Sequence, residues 1–92
     1  MNQSILFPDL QDWDSQTQRV VFPVQVQGAN IECCISLSKL ASLSSTTINP
    51  GEQGIGIKAL ALFDEYRFDI EEEVEALIEQ EKFDEQGRVV LL

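Results

Sequence analysis

The chain has 92 residues, 43% hydrophobic and 24% charged, which suits one globular domain; it is too apolar for disorder and too short for two cores. It carries 16 Asp and Glu against 6 Lys and Arg, a formal charge of −10, and no histidine. That charge speaks against direct phosphate binding, whose affinity comes from cations, and the missing histidine removes the commonest general base and metal ligand together.

In chain order, Met1 to Asp9 offers no positive n-region and no apolar run suited to a signal peptide. No window approaches the ~18–20 apolar residues that cross a bilayer. Gln3 to Phe7 reads as a short strand stopped by Pro8, which cannot donate to a ladder. Asp9 to Thr17 reads as a polar, turn-rich loop in which Trp13 packs down as a lid over a sheet edge.

From Arg19 to Gln27, Val20, Phe22, Val24 and Val26 fall on one side of a period-two pattern; from Ile31 to Ser38, Ile31, Cys33, Ile35 and Leu37 do the same. Gly28-Ala29 between them suits a two-residue hairpin turn. The register that follows sets Val26 opposite Ile31, Val24 opposite Cys33, Phe22 opposite Ile35 and Val20 opposite Leu37, all on one face. Cys33 then faces the core as a small hydrophobe and Cys34 faces away, beside Glu32. Pro23 points to an edge or a bulge.

A short helix is expected around Ser38–Ser44, and Asn49 to Gly54 is a break. Ile55, Ala59, Leu62, Phe63 and Tyr66 follow helical spacing, and further apolar residues at Ile57, Leu60 and Ala61 suggest a helix covered on two sides. Phe68 to Lys82 is the strongest helix, with Asp69 as N-cap, Glu72 closing a capping box, and Glu71, Glu72 and Glu73 in a first turn that favours negative charge. Ile70, Val74, Leu77 and Ile78 form its apolar stripe, while Glu72, Glu75 and Glu79 point the opposite way. Arg88 to Leu92 closes with a strand. The whole, residues 1–92, reads as one α+β domain: a small antiparallel sheet made of an N-terminal strand, a central hairpin and a C-terminal strand, with two to three helices packed on one face.

The charge is local. Asp64 to Glu85 holds eleven acids and two bases, a charge of −9, while five acids and four bases elsewhere add −1. Such a face can steer a basic partner; a solvated helix that keeps the domain in solution is the plainer account. The carboxylates of an outer helix face stay wet, so they lack the desolvation a general acid needs. Two adjacent cysteines build neither a disulfide framework nor a zinc site, and no calcium-loop spacing occurs. No cofactor, metal or catalytic residue is expected. Arg67 has two readings, an ion pair with Asp64 or Glu71 or an anion contact in a groove beside the sheet.

Ile5-Leu6-Phe7-Pro8-Asp9 with Trp13-Asp14, then Val21-Phe22-Pro23, Gly28, Ile31, Cys33-Cys34-Ile35-Ser36, Arg67, Ile70-Glu71-Glu72 and Gly87-Arg88-Val89, resemble the small bacterial proteins of the Domain of Unknown Function 1488 family. The resemblance runs nearly end to end and implies a small stand-alone cytoplasmic domain of proteobacterial type, with no catalytic residue. The expected function is a non-enzymatic protein-binding or adaptor module presenting the acidic helix, with Glu72, Glu75, Glu79, Trp13 and Arg67 as candidate partner-binding residues. The alternatives are an acidic decoy of a nucleic-acid-binding protein or a small enzyme. The expected partner is a protein of basic character, without nucleic acid or membrane. The chain itself is expected to be monomeric or weakly dimeric, and the unbridged Cys33 and Cys34 suit a cytoplasmic location.

Overall fold

The two period-two runs pair into the long hairpin on which the rest of the molecule is laid. The structure, a computed structural model, describes residues 4–92. The chain runs β1 (Ile5–Leu6), β2 (Asp12–Asp14), β3 (Arg19–Val26), β4 (Ala29–Ser36), α1 (Leu37–Ser44), α2 (Ile55–Glu65), α3 (Arg67–Glu79) and β5 (Val89–Leu91). Gln3, expected to open the first strand, lies outside the described residues.

The turn between β3 and β4 is Gln27-Gly28, not Gly28-Ala29. Val26 sits opposite Ala29, and Gln27 and Gly28 take φ of +53° and +86°. Positive φ at both central residues is the mirror-type turn whose twist matches paired strands, with glycine in the second place. The register therefore moves by two residues, to Val24 opposite Ile31, Phe22 opposite Cys33 and Val20 opposite Ile35. An even shift leaves every side chain on its own face, so Val20, Phe22, Val24, Cys33 and Ile35 are all buried.

β1 and β2 form one interrupted edge strand along β3. Leu6 pairs with Gln25 and Asp12 with Val21, so five residues on the edge span three on β3. That bulge falls where Pro23 has no N–H to offer. The segment read as a loop thus contains β2, a strand too short to show a period in sequence.

All pairings among β1 to β4 are antiparallel, but β5 runs parallel to β4, with Cys34 opposite Val90. The sheet is mixed rather than antiparallel throughout because the three helices form a crossover between β4 and β5. They cover one face, where Phe22 and Phe63 meet at 4.9 Å and 54° and Leu40, Ile70, Val74, Ile78, Val89 and Leu91 close the core.

α1 begins where Ser36 accepts the N–H of Lys39 at 3.1 Å, an N-cap, and ends at Ser45 in the left-handed region. α2 is covered on one side only: Ile57 is 79% exposed. α3 starts earlier than expected, at Arg67, directly from the junction residue Tyr66 (φ −104°, ψ 24°). Tyr66 N donates to Leu62 O and Tyr66 O accepts from Ile70 N, so the end of one helix serves as the start of the next. Asp69 therefore lies inside the first turn instead of capping it, and no side chain caps α3.

Candidate functional site

α3 buries Ile70, Val74 and Ile78 against the sheet and half-buries Leu77. Its opposite side carries Phe68, Glu72, Glu75 and Glu79, at i, i+4, i+7 and i+11, which places all four within one narrow stripe. Among the described residues these three glutamates enter no ion pair, whereas Glu71 pairs with Arg67 at 2.8 Å and Glu73 with Lys39 at 3.1 Å. Phe68 heads the stripe 86% exposed. The sequence analysis placed the three glutamates on this side and missed Phe68.

Arg67 stands at the junction of the helices and is turned inward. Its Nε donates to Glu71 Oε2 at 2.8 Å, Nη1 to Asp9 Oδ1 at 3.1 Å and Gln11 Oε1 at 3.0 Å, and Nη2 to the carbonyls of Phe7 and Pro8 at 3.3 and 3.1 Å. Its guanidinium also lies over the Phe63 ring at 5.6 Å. The fork thereby fastens the edge bulge to α3, and its donors are taken up by the protein's own acceptors.

Trp13, opposite Val20 on the helix side of β2, packs on α2 at Gly56. It is half-buried there, packed against the core. Of the five residues singled out in the sequence, the structure brings Glu72, Glu75 and Glu79 together on one stripe and gives Trp13 and Arg67 internal partners.

The other face of the sheet carries no helix. One row across it reads Asp12, Val21, Cys34, Val90; the next holds Asp14 and Arg19; on the other side Pro23 lies opposite Glu32, which reaches Arg88 at 3.7 Å. Two adjoining hollows of about 640 and 360 Å³ lie along it, sharing Asp14, Val21 and Glu32. Arg19 Nη1 donates to Cys34 Sγ at 3.5 Å and Cys34 is 2% exposed. Asp84 orders the turn before β5, accepting from Arg88 N at 2.8 Å, Arg88 Nε at 2.9 Å and Gln86 N at 2.9 Å. The Arg88 backbone N–H, with its guanidinium and Gln86 N, holds the Asp84 carboxyl below the usual range. The Thr17 hydroxyl and the Gln16 N–H do the same for Asp14. Burial, with Cys34 and Glu32 nearby, pushes the Cys33 thiol up to about 12, so it stays protonated and inert at neutral pH.

Among the described residues no three acids, cysteines or histidines stand close enough to hold a metal, and no helix is long and apolar enough to cross a membrane.

The family model described as "Protein of unknown function (DUF1488)" matches residues 5–91. The chain is 42% identical over 91 residues to the uncharacterized protein YrdB of Escherichia coli (strain K12) and 41% identical to that of Shigella flexneri, covering 99% of both chains in each case. A crystal structure of a DUF1488 family protein of unknown function from Shewanella loihica PV-4 superposes with a TM-score of 0.81 at 44% identity, over 99% of this chain and 94% of that one.

Proposed function

The chain belongs to the DUF1488 family of proteins of unknown function, and from that premise we propose that it is a non-enzymatic binding module that presents the α3 ridge to a basic protein partner. One observation carries the reading: Phe68, 86% exposed, heads a stripe of three glutamates without counter-charges among the described residues. Burying a bare phenyl ring against a partner is worth ~1.5–3 kcal/mol, enough to anchor a contact. The glutamates add orientation and a faster encounter with cationic surfaces, and both effects weaken as salt rises. An acidic decoy of a nucleic-acid-binding protein calls for carboxylates standing in for phosphates and not for a bare phenyl ring, so the exposure of Phe68 supports an apolar anchor over phosphate mimicry. The module carries no catalytic step in this reading, since the ridge carboxylates stay in water. Cys33 and Cys34, both unbridged, fit a reducing cytoplasm.

The test is affinity capture from the native cell at low and at physiological salt, with the wild type, Phe68→Ser, and Glu72, Glu75 and Glu79 all changed to Gln. Proteins held by the wild type and lost from both variants are expected, and the wild type should hold them less firmly at the higher salt. Capture of the same proteins by all three baits, or of no salt-sensitive protein, refutes the proposal.

A further inference from the structure

We propose that the partner segment meeting the α3 ridge is itself an α-helix, basic along one side, lying lengthwise on α3 with an apolar residue against Phe68. The inference rests on the ridge reading above and adds the form of the partner. Charge complementarity asks for cations here. Glu72, Glu75 and Glu79 have no counter-charge among the described residues, while Glu71 and Glu73 beside them are held by Arg67 and Lys39.

The spacing of the ridge sets the shape of what fits it. Phe68, Glu72, Glu75 and Glu79 are separated by gaps of four, three and four residues. At ~1.5 Å per residue they stand at about 0, 6, 10.5 and 16.5 Å along the axis, and ~100° per residue keeps them within about 60° of arc. The ridge is therefore a straight strip with uneven intervals. A helix carrying one apolar residue and three cations at the same gaps reproduces those intervals. The gaps read alike in both directions, so it does so in either orientation. An extended segment instead presents side chains to one side every ~6.7 Å, at about 0, 7, 13 and 20 Å, so its third and fourth groups miss by about 3 Å or more.

The backbone of the partner decides the same way. A helix has already satisfied its own N–H and C=O groups, so only its side chains need to meet α3. An extended segment laid on the ridge turns carbonyls towards carboxylates and a phenyl ring, none of which donates a hydrogen bond. Ala76, exposed and small, lies one turn from Glu72 and Glu79 and leaves room for two helix axes to approach to ~8–10 Å.

Titrating the isotope-labelled chain with synthetic peptides, read by amide chemical shifts, tests the proposal. The probes are alanine- and glutamine-based peptides of about 20 residues, long enough to be helical alone. Two carry a leucine and three lysines at gaps of four, three and four, with the leucine first in one and last in the other. A third has the same composition with its lysines spread around the helix, and a fourth keeps the pattern but has a central proline that breaks the helix. At least one patterned peptide is expected to bind near ~300 µM, to move the amides of Phe68–Glu79, and to bind at least ~5-fold more tightly than the dispersed and broken ones. Phe68→Ser, and Glu72, Glu75 and Glu79 all changed to Gln, should each weaken it at least ~5-fold. Equal binding of all four peptides, still weakened by the ridge variants, overturns the helical partner and leaves the ridge reading standing. No binding of any peptide up to about 2 mM overturns the helical partner and leaves the ridge reading to the capture experiment. Binding indifferent to the ridge variants, with shifts gathered away from α3, overturns both.

Discussion

Gly56 sits in the first turn of α2, where glycine is ordinarily a poor choice, so Gly56→Ala tests whether packing outweighs propensity. In propensity alone, alanine gains up to ~1 kcal/mol over glycine in a helix, less near an end, and restricts the unfolded chain. The structure sets a steric penalty against that gain: an ideal Cβ at Gly56 would lie 2.7 Å from Trp13 Cδ1, 3.0 Å from Cγ and 3.1 Å from Nε1. Carbon atoms pack best at ~3.5–4.0 Å. The obstacle is a rigid ring rather than a flexible chain end, held on β2 opposite the fully buried Val20. Overpacking of this kind costs ~1–3 kcal/mol. Net destabilisation of ~1–2 kcal/mol is expected, lowering the midpoint of a circular-dichroism melt by about 5–10 °C in a domain of this size. Trp13→Leu should itself destabilise but should also open the space, so that Gly56→Ala in that background becomes neutral or favourable. The double-mutant cycle should then show coupling of ~1 kcal/mol or more. A single Gly56→Ala variant that melts higher than the wild type refutes the close-approach reading.

Three further outcomes are expected at other positions. Arg67→Lys keeps the charge but loses the fork that holds the Phe7 and Pro8 carbonyls; urea unfolding should show a loss of ~1–3 kcal/mol, and amides from Phe7 to Gln11 should exchange faster. Gln27→Asn suits a left-handed turn position at φ +53° and should raise stability by ~0.5 kcal/mol, with unchanged cross-strand contacts by NMR. The Asp84 carboxyl is depressed in the fold, so its contribution is present above the unfolded value of 3.8 and is lost as pH falls below it. The urea midpoint should therefore drop on the acid side, and Asp84→Asn should flatten that part of the drop.

Facing is legible in the sequence where register is not, and the hairpin shows why. Alternation alone assigns Val20, Phe22, Val24, Cys33 and Ile35 inward, and alternation is unchanged by a shift of two. The choice between Gly28 as first or second turn residue depends on backbone handedness, which no side-chain pattern records. Arg19 shows the consequence. In the expected register Cys34 stands opposite Pro23 with Glu32 as its charged neighbour; in the observed one it stands opposite Val21, and Arg19 reaches its sulfur. The direction of β5 is equally hidden, since a run of three apolar residues reads the same in parallel and antiparallel pairing.

The ridge is half legible for a related reason. Period 3.6 places Glu72, Glu75 and Glu79 together wherever the helix begins. Phe68 joins them only if the helix starts before it. With Asp69 as N-cap, Phe68 falls outside the wheel; the Tyr66 junction, a tertiary feature without a capping residue, moves the start back to Arg67 and sets Phe68 four residues ahead of Glu72.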